Sequence, residues 1–173
     1  AGEPGTDAQL QLVSAACALT TAGDDVATVR ALLDGTEVLD GLKVDFEMRW
    51  TLLTALAAAG EADDAQIDAE LASEDTATGR ERAARAKAAR PTVESKEAAW
   101  AAAVEGSGLP NAVVDAIGQG FSRPGTPADL LRPFVERYHA MLDSVDERGS
   151  HALVESVVYG FYPRPLVDRD LHD

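Results

Sequence analysis

Apolar residues recur along this chain at helical spacing, and the most regular stretch is residues 42–60, LKVDFEMRWTLLTALAAAG. Within it Phe46, Trp50, Leu53 and Ala57 fall at i, i+4, i+7 and i+11, while Met48, Leu52, Leu56 and Ala59 fall on the adjacent face. An apolar arc this wide predicts a helix packed between several neighbours rather than against one. Asp45 stands at the N-cap position and Gly60 one residue past the end. Arg49 falls between the apolar faces, so its guanidinium is expected to pair with a carboxylate or a carbonyl. Phe46, Arg49, Trp50 and Leu53 are thus the predicted structural centre.

The same reading covers the rest of the chain. Residues 1–7 read as a linker. Helices are predicted over 8–20, capped by Thr6 or Asp7, and over 24–34, stopped by Gly35. After the central helix come helices from Asp63 or Asp64 to Ser73, from Thr76 to Ala89, and over 93–105 after Thr92. Ala77, Ala84 and Ala88 form a thin stripe that permits a close neighbour. Pro110 opens a helix over 111–119, which Gly118 and Gly120 are expected to end. A Pro/Gly loop spans 122–126, Pro127 suits the first turn of a short helix, and Pro133 predicts a kink or a fresh start. From there a helix reaches about Glu147. A last helix spans 150–159, with Tyr159, Phe161 and Tyr162 as an aromatic cap on the terminal helix pair, and 164–173 read as a tail. No strand-like alternation survives. Helix pairs begin roughly every 30–35 residues, the period of helical-repeat arrays. The predicted fold is all-α, an α-solenoid of antiparallel helix pairs of the HEAT/armadillo kind, as one domain over 8–163.

Charge changes this picture in one place. The net charge of −15 argues against nucleic acid and anionic membrane as partners. Residues 76–105, however, hold 6 bases against 4 acids, while residues 1–75 hold 16 acids against 3 bases. The ordinary reading of that basic island is pairing with the acidic first third, and the sharper one is a site for an anionic group such as a peptide carboxylate. The basic side chains Arg80, Arg82, Arg85, Lys87 and Arg90 surround the alanine stripe. The single cysteine, Cys17, reads as a buried structural thiol.

Catalytic constellations are missing from the residue pattern. There is no His-Glu-x-x-His and no Gly-x-Ser-x-Gly. Glu136 and His139 make one Glu-x-x-His, half of the set a di-iron bundle needs. Gly118-Gln-Gly120 reads as a helix stop rather than a phosphate loop.

The stretch LDGLKVDFEMRWTLLTALAAAGEADDAQIDAELASEDTATGRERAARAKAARP (residues 39–91) resembles the C-terminal helical domain of zinc metalloaminopeptidases of the aminopeptidase N type, especially actinobacterial ones. The likeness continues through KEAAWAAAV, LPNAVVDAIGQGF, LLRPFVERY and the closing GFYP. Its most specific parts are Asp45-x-x-x-Arg49-Trp50 and the DTATG turn at 75–79. The resemblance implies a cytoplasmic parent whose upstream catalytic domain holds zinc through a His-Glu-x-x-His…Glu set and grips the substrate with a Gly-x-Met-Glu-Asn loop. This chain matches neither motif, so no catalytic residue, zinc ligand or other cofactor site carries over to it. Its implied role is the last part of a helical bowl that covers the active site and helps enclose and select peptides. Arg80, Arg82, Arg85 and Lys87 are then the candidates to meet a peptide's C-terminal carboxylate, with the upstream catalytic domain as the other partner. The competing expectation is a free-standing helical-repeat module that binds a protein.

Overall fold

The structure, a computed structural model, describes residues 3–20, 23–143 and 151–166. The predicted extension of one helix through Val145 to Glu147, the predicted start at Ser150 and the tail beyond residue 166 lie outside the described residues. Among those described, all regular structure is helical.

Capping chemistry sets most of the boundaries. Helix α1 (Asp7–Leu19) starts where the Thr6 side chain accepts from the Gln9 amide. α2 (Asp24–Asp34) ends at Gly35 in the left-handed conformation. α3 (Phe46–Ala58) is capped by Asp45, whose carboxylate accepts from the Met48 amide. Its other end closes as a Schellman motif, with the Glu61 amide donating to the Leu56 carbonyl, the Gly60 amide to that of Ala57, and Gly60 at φ +80°. Asp63 and Gln66 form a reciprocal capping box at the start of α4 (Asp64–Ser73). Thr76 caps α5 (Ala77–Ala89) and Thr92 caps α6 (Val93–Trp100).

Beyond α6 the outcome departs from expectation in two places. The α-helix predicted to run to Glu105 becomes a π-helical turn over Ala101–Glu105. Its Gly106 amide reaches back to the Ala101 carbonyl at 2.7 Å, the five-residue spacing of that turn. The second correction concerns α7 (Asn111–Phe121), which does not stop at its glycines. A Cβ on Gly118 would lie 2.7 Å from the Gly160 Cα, and one on Gly120 would lie 2.9 Å from the Ala88 Cβ. Both glycines are places where a neighbouring helix comes to backbone contact, so they serve packing and not termination. Short α8 (Ala128–Leu131), α9 (Phe134–Leu142, a fresh start after Pro133) and α10 (His151–Gly160) complete the chain.

Contacts run in a regular order. α1 packs on α3, α3 on α5, α5 on α7 and α7 on α10, while α2 packs on α3 and both α4 and α6 pack on α5. α3 is the sandwiched helix that its wide apolar arc predicts. Met48, Trp50, Leu52, Leu53 and Leu56 on it are all buried, and Phe46 is half-buried with its ring edge-on to Trp50 at 6.4 Å. α5 is sandwiched too, with α3, α4, α6 and α7 all packed on it. Its buried residues are Gly79, Ala83, Ala86, Ala88 and Ala89, whereas Ala77 of the predicted stripe is exposed and Ala84 half-buried. Small buried residues on more than one side of α5, rather than on one stripe, let four helices approach it at once. Two apolar clusters meet there. One runs from Cys17 through α2 and α3 to Ala83 and Ala86; the other runs from Ala88 through Trp100, Phe121, Phe134 and Tyr138 to Phe161. The predicted aromatic cap divides accordingly. Phe161 is in the second core, Tyr162 lies against Tyr138 at 5.8 Å, and Tyr159 is exposed.

Candidate functional site

Among the described residues, most basic side chains have found partners. The Arg49 guanidinium makes two parallel bonds to Glu70, Nε to Oε1 at 2.6 Å and Nη2 to Oε2 at 2.7 Å, and a weaker one to the Leu33 carbonyl. That is both of the partner types its position demanded, and the hydrogen bonds to Glu70 raise its pKa above the usual value.

The basic residues of α5 sort by what they meet. Arg80 pairs with exposed Asp75 at 2.6 Å, Lys87 with Asp68 of α4 at 2.6 Å, and Arg90, just past the helix end, with Asp64 at 2.9 Å. Arg82 reaches Glu47 of α3 at 2.9 Å. For these four the ordinary reading of the basic island, pairing with acids of the first third, describes the structure. Arg85 is different. It has no carboxylate within salt-bridge reach, and its guanidinium donates to the Gln119 side chain of α7. Its Nε is covered from solvent and has no partner.

Arg82 and Arg85, one helical turn apart, enter the same cavity of about 300 Å³ among α1, α3, α5 and α7. Its wall includes Ser14 and Cys17 from α1, Glu47, Trp50, Thr51 and Thr54 from α3, and Gln119 from α7. Arg123, from the loop after α7, is the third guanidinium there. It donates to the carbonyls of Thr54 at 3.1 Å and of Cys17, so it ties α1 and α3 to α7. Desolvation first, then the charge of Arg82, pulls the Arg85 pKa below its usual value, and burial does the same to Arg123. Burial pushes the Cys17 thiol up, away from the reactive thiolate. Trp50, a lining residue that is 1% exposed, carries a second covered donor without a partner, its indole Nε1. The cavity is therefore rich in donors and positive charge, with Glu47 as its only lining carboxylate among the described residues.

The structure thus brings together two of the four sequence candidates, Arg82 and Arg85, and separates them from Arg80 and Lys87. It adds Arg123 and Trp50. Arg123 lay in a stretch read only as a Pro/Gly loop; a single base in an otherwise uncharged loop was the one signal it offered. Trp50 was assigned to the core on its spacing, which is correct for its rings and silent about its N–H.

Another cation is buried outside this cavity. Lys96 of α6 is 0% exposed. Its ammonium donates to the carbonyls of Ala88 at 2.6 Å and Phe121 at 3.1 Å, with that of Gly120 at 3.5 Å, and stands 5.7 Å from the Phe121 ring centre. It occupies the C-terminal ends of α5 and α7, where the helix dipoles favour a cation. Desolvation lowers its pKa to about 8. Among the described residues no group of three or more His, Cys, Asp or Glu side chains is placed to hold a metal ion, Glu136 and His139 included.

Two comparisons with known proteins bear on this arrangement. The family model described as ERAP1-like C-terminal domain matches residues 1–172. The aminopeptidase N of Streptomyces lividans is 39% identical over 173 residues, which is 100% of this chain and 20% of that protein.

Proposed function

Because the chain belongs to the ERAP1-like C-terminal domain family, we propose that it is the non-catalytic C-terminal portion of a zinc metalloaminopeptidase of the aminopeptidase N type. In this reading it covers the active site and helps enclose and select peptide substrates. The observation that carries the proposal is the 39% identity to an aminopeptidase N across the whole of this chain. The chain spans only 20% of that protein's length, which is consistent with a part that leaves catalysis to another domain. The successive packing of α1 on α3, α3 on α5, α5 on α7 and α7 on α10 supports an α-solenoid, the architecture suited to a concave cover. The zinc of this reading belongs to the catalytic domain; no step of its chemistry falls to residues of this chain. Of the basic set on α5, Arg85 is the residue best placed to meet an anionic part of a substrate, since Arg80, Lys87 and, beside it in the same cavity, Arg82 are each held by a surface carboxylate.

The test begins with the gene in frame upstream of the Ala1 codon. A His-Glu-x-x-His…Glu set and a Gly-x-Met-Glu-Asn loop there, with zinc-dependent release of N-terminal residues by the product, are the expected result. A frame that opens just before Ala1 would remove the peptidase reading in favour of a helical-repeat module that binds a protein.

A further inference from the structure

The geometry points to an oxyanion site in the cavity among α1, α3, α5 and α7, built from Arg85, Arg82, Arg123 and the indole N–H of Trp50. This stands on the donors and charges of the cavity and holds whether or not the aminopeptidase reading does.

Charge is the first observation. Three guanidiniums line one cavity of about 300 Å³, and the carboxylate among its lining residues, Glu47, is already bonded to Arg82. Glu81 is the other acid that acts on Arg85, from its own helix. The lining residues of α1 and α7 bring no charge of their own. Unsatisfied donors are the second observation. Trp50 Nε1 and Arg85 Nε are both covered from solvent and both lack an acceptor. Buried N–H groups of native proteins nearly always find one, so two orphans on residues that line one cavity call for a common explanation. A cation would be repelled, and an apolar ligand would leave both donors as they are. Water answers the hydrogen bonds without answering the charge. An acceptor-only anion answers both, and a planar guanidinium suits a carboxylate or a phosphate in particular. Contrast with the rest of α5 is the third observation. Arg80, Lys87 and Arg90 each have a carboxylate within 3 Å, and Arg85 has none.

The shared chemistry is a small oxyanion, planar or tetrahedral. Calorimetric titration of the intact protein with inorganic phosphate and, separately, with acetate at constant ionic strength tests it. The expected result is saturable binding of one or both, weakened about tenfold or more in Arg85→Gln, the scale set by losing one hydrogen bond to a charged group. Glu47→Gln supplies the opposite sign. It removes the competing carboxylate and frees Arg82, so affinity should rise, which a damaged fold cannot mimic. Whichever anion binds more tightly identifies the tetrahedral or the planar class. No saturable binding of either anion, or binding unaltered in both variants, would overturn the proposal.

Discussion

Lys96 and Arg85 are both cations withdrawn from solvent without a carboxylate partner, and they belong to the two different cores of this chain. The second core closes round Trp100 with rings. Phe121, Phe134 and Phe161 lie 5.4–6.2 Å from it, and Arg137 stacks on Trp100 and Phe134 while pairing with Glu97 and Glu105. Lys96 inside it meets three carbonyls, so its donors are used. The first core is mostly aliphatic around Trp50 and borders the cavity that Trp50 and Arg85 line, each with one unused donor. Partner count, and not burial or charge, distinguishes a cation that holds helices together from one that can take a ligand.

The largest effects should come from removing the ring at the centre of each core. Trp100→Ala and Trp50→Ala should each cost about 3–5 kcal/mol in urea melts. Trp100→Ala should be the worse of the two, because its ring contacts add to its buried area. A loss under about 1 kcal/mol for Trp50→Ala would mean that the first core does not depend on α3.

Lys96 should show itself through pH. A lysine pKa lowered to about 8 means that the unfolded chain holds more protons than the folded one between there and the ordinary value of 10.5. Stability contributed through this group is therefore flat below pH 8 and rises towards pH 10.5, by at most about 3 kcal/mol. Cys17 and Tyr138, whose pKa values are raised by burial, act oppositely above their ordinary values of 9.0 and 10.0. The difference between wild type and Lys96→Met isolates the lysine. Wild type should gain on the variant across that window, and an unchanging difference would show that Lys96 is not desolvated.

The seam between the cores should resist a methyl group. Gly120→Ala should destabilise by about 1–3 kcal/mol through overpacking against α5, although helix propensity alone favours alanine by about 1 kcal/mol. Stabilisation would restore the view that Gly120 merely ends a helix. The smallest change is expected at the surface. Arg80→Gln breaks an exposed pair with Asp75 and should shift stability by no more than about 0.5 kcal/mol. A larger loss would mean that Arg80 belongs with the buried cations.

Local signals made the helices legible. Asp45, Asp63, Thr76 and Thr92 stand where caps are needed, and each side chain accepts an amide bond there. Gly60 and Gly35 end helices as their positions suggest, because a left-handed residue at a C-terminus is a local requirement. Gly118 and Gly120 were misleading for the opposite reason. Their role is set by α10 and α5, segments distant in sequence, and no local pattern encodes a close approach. The cavity followed the same division. Arg82 and Arg85 stood out as members of a basic island, but which of them lacked a partner depended on Asp75, Asp68 and Glu47 being where the fold puts them. Arg123 reaches Cys17 across 106 residues of sequence, a distance at which spacing carries no information.

The contrast between the two buried cations can be tested in one experiment: the shift that inorganic phosphate or acetate, whichever binds more tightly, gives to the melting transition of the intact protein, at constant ionic strength, in wild type, Lys96→Met and Arg85→Gln. The account predicts that this anion raises the transition in wild type and by the same amount in Lys96→Met, even if that variant starts lower, and that the shift disappears in Arg85→Gln. A shift that survives in Arg85→Gln, or one that is lost in Lys96→Met, would contradict it.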